Sequence, residues 1–488
     1  MTRVRWVVAG QLGEQFDDGG RMLLVEARSA FARAPMHRRK AHLYLSAMRH
    51  RKAELGDRLE YVRADTFREA LAGRDLEVID PTSYRARRLA RELGAEILPS
   101  RGFVTSEADF AGFADAHEHA AMEDYYRWVR ERTGILMEGD RPAGGAWNFD
   151  RDNRNPPPKN ALTLGLPDPW WPTEDDIDAE VRRDLDRWER DGDVRFVGED
   201  GPREFAVTPT EARAALQDFV DTRLGDFGPF EDAILRSDWT MAHSLLSVPM
   251  NLGVLDPREA VETVVAEYDA GRAPIASVEG FTRQIIGWRE WVWHLYWRFG
   301  EDYVHSNELG ARHPVPSSFL DLAPEAIEEA CLSAAVEGVR DHGWTHHIQR
   351  LMVIGNHALQ RGYDPREMND WFVAMFVDGT PWVMPANVVG MTLHADGGRV
   401  ATKPYAAGGA YINRMSDHCG GCRFDPKKRL GEDACPYTAG YWAFLDRVEP
   451  TLGKNHRLAQ PFAGLRRLAD RAAVVDQERR RDAEAGRA

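Results

Sequence analysis

Asp417-His418-Cys419-Gly420-Gly421-Cys422, followed by Cys435-Pro436, is the stretch on which the reading of this chain turns. The 488 residues hold four cysteines; three lie here and the fourth is Cys331. Two thiols separated by two residues can be aimed by one tight turn at a single ion or cluster, and Gly420-Gly421 suits such a turn. Four thiols with none left over suit a tetrathiolate site, which zinc and iron–sulfur clusters both accept. Cys435-Pro436 leans weakly toward iron–sulfur. The bland readings are a stray C-x-x-C redox pair or ordinary buried thiols. The use of every cysteine favours one shared metal site over both.

Outward from this stretch, the length allows two or three domains. Hydrophobic content of 43% and 15 tryptophans indicate large buried cores. No apolar run approaches ~18 residues, so no transmembrane helix is expected. The start, Met1 to Ala9, lacks a long apolar segment with a cleavage site, so no signal peptide is expected. Few cysteines in a long chain suit a reducing cytoplasm. A net charge of −15 argues against indiscriminate polyanion binding, though not against a local basic groove.

Short apolar runs at 4–10, 23–26, 59–62, 76–79 and 95–98 alternate with helical patterns at 38–55 and 84–93. Such alternation predicts a parallel, Rossmann-like α/β domain over 1–135. Two basic groups fall in it. One is His37 to Lys40; the other, Arg85, Arg87, Arg88 and Arg91, reads as a solvated helix face. Residues 136–205, with Asn155-Pro156-Pro157-Pro158 and Pro169-Trp170-Trp171-Pro172, form an irregular connector. From 206 to 460 the pattern is helical. Thr208 or Thr210 caps one helix. Phe281, Ile285, Trp288, Val292 and Leu295 share a face of another over 280–297, and a helix over 324–339 carries Cys331 and closes at Gly343. Thr345 is a candidate cap for the helix after it. The tail, 461–488, reads as a charged, partly frayed helix.

Two adjacent histidines, His346 and His347, start a helix, where neighbours point about 100° apart. One can face a cavity while the other meets a partner, and either can deliver a proton near neutrality. Taken alone, such a pair is more often structural.

The motifs together resemble the iron–sulfur bacterial cryptochromes and photolyases, within the photolyase/cryptochrome superfamily. The resemblance rests on the cysteine spacing, Gln284-Ile285-Ile286-Gly287-Trp288-Arg289-Glu290 and His346-His347-Ile348-Gln349-Arg350-Leu351-Met352. It also rests on Thr402-Lys403-Pro404-Tyr405, Asn413-Arg414-Met415-Ser416-Asp417 and Asn455-His456-Arg457-Leu458-Ala459-Gln460-Pro461. It spans nearly the whole chain and is densest over 240–460.

The resemblance implies an α/β antenna-type domain, a connector and a large all-α domain that holds FAD and a [4Fe-4S] cluster. It implies blue-light-driven repair of (6-4) pyrimidine photoproducts in UV-damaged DNA by a monomer. The alternative is a cryptochrome-like light or redox signalling flavoprotein without repair activity. Cys331, Cys419, Cys422 and Cys435 would be cluster ligands. His346 and His347 would line the lesion pocket, with Tyr405 and Tyr411 beside it. The segment His243-Ser244-Leu245-Leu246-Ser247, with Asn251, would hold FAD phosphates. Gln284, Trp288 and Arg289 would line the flavin, Arg289 pairing with Asp396, and Trp371 would serve electron transfer. Lys427, Lys428 and Arg429 are candidates for a DNA-facing surface.

Three departures stand out. The first loop reads Ala9-Gly10-Gln11-Leu12 where family members carry Gly-Asp-Gln-Leu, which weakens the implied lumazine-type antenna chromophore. The stretch Ser317 to Ala323 lacks a tryptophan that many members place before the first ligand cysteine, so the route from Trp371 is cut, or runs through Trp344 or Trp382. Met384 stands where an acidic residue near the flavin is usual.

Overall fold

The computed structural model describes residues 3–117 and 121–484. Five strands form one parallel sheet: β1 (Val4–Val7), β2 (Met22–Ala27), β3 (Leu59–Ala64), β4 (Leu76–Ile79) and β5 (Glu96–Leu98). Their spatial order is β3-β2-β1-β4-β5. Helix Arg38–Leu55 links β2 to β3. β2 is buried at all six positions, as a central parallel strand must be. Its one charge, Glu26, accepts from Arg49 at 2.9 Å and from the Tyr61 hydroxyl.

The strand order reverses between β1 and β4, the crevice where open α/β sheets commonly take ligands. The helical part of this chain enters that crevice. A Cβ on Gly253 would lie 2.3 Å from the Gly10 carbonyl oxygen, and one on Gly13 would lie 2.1 Å from that of Gly253. Only glycine permits this approach, and Gly253 also has φ +74°. Gln11 spends its side-chain N–H groups on the Ile79 and Asp80 carbonyls at 3.0 and 3.2 Å.

The basic group at 84–93 is not uniformly solvated. Arg87 lies 3.4 Å over the Trp297 ring and pairs with Asp80 and Glu107. Its stem covers an aromatic surface while two carboxylates satisfy its fork, so it ties sheet to helices. Lys40 does the same elsewhere: its buried ammonium donates to the Val373 and Gly379 carbonyls.

Beyond the connector the chain is helical. Thr208 caps Pro209–Thr222 by accepting from Glu211 N–H. The helix expected over 280–297 exists but is not regular. Residues Ile275–Thr282 and Glu290–Phe299 are α-helical, and Arg283–Arg289 between them is a π segment. Two more π segments occur, Gln349–Gly355 and Pro385–Thr392. Such widened turns are frequent at functional sites. The Cys331 helix spans Ala330–His342 rather than starting at Pro324, because Pro324–Ala326 makes a separate tight turn. Gly343, at φ +61°, closes it as expected. Thr345 does not cap the next helix: its hydroxyl is buried without a partner. The tail also differs from expectation. Arg471–Glu484 is a helix docked on Pro436–Leu452, with Val474 and Glu478 buried. Among the described residues no helix is long and apolar enough to cross a membrane.

Candidate active site and metal centre

The four cysteines, far apart in sequence, line one cavity. Helix Ala330–His342 supplies Cys331, the turn His418–Gly421 and its successor supply Cys419 and Cys422, and Cys435 precedes helix Pro436–Leu452. Gly409 makes room there, since a Cβ would lie 2.7 Å from Cys435 Sγ. Ile412 and Phe424 complete a dry wall. Burial, then the neighbouring thiols, pushes Cys419 up to about 12 and Cys331 far above the usual thiol range. Four converging thiols are a donor set suited to a cation, which would displace their protons. The set fits a tetrathiolate centre.

A second cluster lies around His346. Its ring is only 1% exposed, and neither ring nitrogen has a partner. Burial, then the charges of His243 and His347, holds it well below the usual imidazole range. His243 stacks on it with centroids 4.7 Å apart, its own Nε2 also unpartnered. Burial holds His243 down to about 3. His347, by contrast, is exposed, and its Nε2 lies 3.2 Å from Asp232 Oδ1. Burial is the largest single effect on Asp232 and opposes its ionisation, but the His347 hydrogen bond together with the nearby charges of His347, Arg154 and His243 outweighs it and keeps the carboxyl below its usual range. Arg154, from the connector, reaches Glu231 at 3.2 Å and Asp232 at 3.9 Å. Arg154 also acts on Tyr405 and Tyr411, and Asp232 acts on Tyr411, so both tyrosines share this electrostatic neighbourhood. The histidines were legible as a motif. Asp232, Glu231 and Arg154 were not, for each lies in a segment with no distinguishing pattern.

The residues expected to hold a flavin fall into separate groups. His243, Ser244 and Leu245 line a cavity with Trp170 and the buried Arg223. Leu245 has φ +58°, a left-handed conformation leucine rarely adopts and a kind of strain that clusters at ligand sites. Arg223 keeps its Nε unpartnered, so this cavity suits an anion. Leu246 is buried behind it. Ser247 donates to Asp378 at 2.8 Å, and Asn251 donates to the Asp378 carbonyl at 3.0 Å. Arg350 forks onto the same carboxylate at 2.9 and 3.1 Å. Asp378 is therefore a hub that sequence reading missed, although its partner Arg350 stood inside a quoted motif.

Gln284, Trp288 and Arg289 all lie on the first π segment. The expected Arg289–Asp396 pair does not form. Arg289 donates to the Gly102 carbonyl at 3.1 Å and packs over Phe103 and Trp382, at 4.6 and 5.1 Å from their centroids. Asp396 accepts from the Tyr303 hydroxyl and from the Gly398 and Val400 N–H groups, each at 2.9 Å. The Asp396 carboxylate is turned into its own Asp-Gly-Gly turn and toward Tyr303 instead.

Trp371 is buried, donates to the Phe319 carbonyl at 2.8 Å and lies 5.3 Å from the Phe319 ring. Phe319 thus occupies the contact a second tryptophan would make. Trp382 instead adjoins Trp293 at 5.6 Å, and Trp344 adjoins Trp239 at 5.5 Å. Lys428 and Arg429, expected on a DNA-facing surface, pair with Asp433 and Asp470. Both side chains stay largely exposed, at 52% and 41%.

An α/β sheet joined by a connector to a helical body, with these clusters inside the helical part, is the photolyase/cryptochrome fold. A bacterial class III photolyase from Agrobacterium tumefaciens matches with a TM-score of 0.55 at 16% identity, covering 97% of each chain. A cryptochrome from Synechocystis matches with a TM-score of 0.52 at 14% identity, over 80% of this chain and 82% of that one. Residues 10–192 match the family model for deoxyribodipyrimidine photo-lyase-related proteins. A (6-4) photolyase of Agrobacterium fabrum is 38% identical over 473 residues, 92% of this chain and 91% of its own. The chain belongs to the bacterial cryptochrome/photolyase family of deoxyribodipyrimidine photolyase-related proteins.

Proposed function

We propose that this protein repairs (6-4) pyrimidine photoproducts in DNA under blue light. Membership of its family implies a flavin. Held as reduced FAD, it would supply the light-excited electron that the repair needs.

The residues of this chain do the rest. His346, buried and with both ring nitrogens unpartnered, is the observation that carries the reading. A buried polar group without a partner is costly, so its partner is expected to be a ligand. A lesion flipped out of the duplex offers polar base edges to such a pocket, and a damaged pair leaves the stack more cheaply than an intact one. His347 delivers the proton, because Asp232, 3.2 Å from its Nε2, fixes its ring. Tyr405, 37% exposed, and Tyr411 flank the entrance. The Ser244–Leu245 turn and Arg223 would hold the diphosphate of FAD, and Arg350, Ser247 and Asn251 hold Asp378 in place. Cys331, Cys419, Cys422 and Cys435 hold a [4Fe-4S] cluster that ties a helix to a distant loop. A lumazine-type antenna is not favoured, because Gln11 has no free donor. The sheet domain acts as the antenna-type domain of the family, and the protein works as a monomer.

His346→Ala and His347→Ala should each keep FAD and bind lesion DNA, yet lose repair by roughly 100-fold or more, the usual worth of a positioned acid. Full repair by both variants would remove the pair from the mechanism.

A further inference from the structure

The pocket around His346 holds three imidazoles, and one proton transfer does not need three. Donor atoms of His243, His346 and His347 all lie within 4.8 Å of one another. They come from two distant segments. The ring centroids stand 4.7, 5.6 and 6.1 Å apart; His243 and His346 lie stacked at 21°, so one of these two rings turns to bring its nitrogen onto a shared ion. His346 and His243 are 1% and 8% exposed, and three of their ring nitrogens lack any partner. His347 has its Nε2 against Asp232, which leaves Nδ1 for a second partner.

We infer that His243, His346 and His347 form a three-imidazole site for a divalent transition-metal ion of the zinc class. Three protein nitrogens with a fourth position left open is the arrangement in which such an ion keeps a water or takes an incoming ligand. Imidazole donors select zinc, copper or nickel over magnesium and calcium, which prefer oxygen. Asp232 takes the part of the carboxylate that orients a ligating histidine and raises its basicity. Next to it, Glu231 pairs with Arg154 through Oε1 at 3.2 Å and keeps Oε2 buried without a partner.

The consequence for activity rests on the repair reading. A zinc ion on these nitrogens takes away the acid that the lesion needs, so repair falls while zinc is bound. Zinc then acts as a reversible brake on repair.

The test separates the two claims. Flavin- and cluster-loaded protein is dialysed against zinc, and bound zinc per chain is compared between wild type, His243→Gln, His346→Gln and Asp232→Asn. The site predicts one more zinc in wild type than in either histidine variant. It also predicts at least a tenfold weaker affinity in Asp232→Asn, the usual effect of losing an orienting carboxylate. Equal zinc in wild type and both histidine variants, or none in wild type, overturns the proposal. Should the variants misfold, copper(II) bound to wild type decides it: nitrogen couplings from three imidazoles support the site, and couplings from one or none overturn it. These readouts need no repair activity, so they stand even where the repair reading fails.

Discussion

Asp232 shows how a residue without a motif acquires a role. It is one of 78 acidic residues, and nothing near it in sequence marks it out. The fold brings it to His347, where it does for the imidazole what no neighbour in sequence could. Asp232→Asn should keep the shape but lose the carboxylate that holds the His347 ring in place. Its repair rate should fall by roughly 10- to 100-fold at neutral pH, measured as product formed per light dose. Glu290 offers a test of a different kind. Buried completely, it accepts from the Val104 and Thr105 N–H groups at 2.9 and 3.2 Å. Burial raises its carboxyl from 4.5 to about 7. The folded state therefore holds this proton more tightly than the unfolded one. The resulting stability is present in full below about pH 4.5 and is lost as pH rises through about 7. On the order of 3 kcal/mol is at stake, at roughly 1.4 kcal/mol per pH unit. Urea unfolding across this window should show the decline in wild type and a flatter profile in Glu290→Gln.

Among the elements, the cysteine stretch and the histidine helix were legible because chemistry leaves few uses for such residues at such spacing. The π segments were not. Phe281, Ile285, Trp288, Val292 and Leu295 fit a regular helix well enough, since one widened turn displaces later residues by a fraction of a turn. The Arg289–Asp396 pairing failed for a local reason, as Asp396 closes its own turn. The tail was misread because composition alone cannot reveal an anchor. Arg361 and Glu478 pair at 2.7 Å with both side chains buried, and Arg481 joins Glu478 at 2.7 Å. The same helix holds the cysteine loop: Gln477 accepts from Gly431 N–H, and Arg481 donates to the Ala434 carbonyl. Breaking one partner of a buried pair typically costs about 3–5 kcal/mol. Glu478→Ala should lower the thermal midpoint accordingly, and removal of residues 471–488 should lower the iron and sulfide content of purified protein. Unchanged metal content after that truncation would show that the loop holds its shape unaided.

Across the whole molecule, the domain order followed from alternation of short strands and helices giving way to sustained helical periodicity. What the alternation could not show is how tightly the parts interlock. The first core runs without a break from Leu24 in the sheet and Leu45 on the helix Arg38–Leu55 to Ile285 and Trp293 of the helical part. Lys40 crosses the same boundary and holds the loop that bears Asp378. Lys40→Met should fill the space but release two carbonyls, and FAD should be lost from this variant at lower denaturant concentration than from wild type.

The central claim is light-driven repair. Protein purified without oxygen, its flavin reduced chemically to bypass Phe319 beside Trp371, is mixed with an oligonucleotide carrying one (6-4) photoproduct and exposed to blue light. The account predicts light-dependent return of the two intact bases, absent in the dark and in His346→Ala. No repair by protein that carries both flavin and cluster would contradict it and shift the weight to a signalling role.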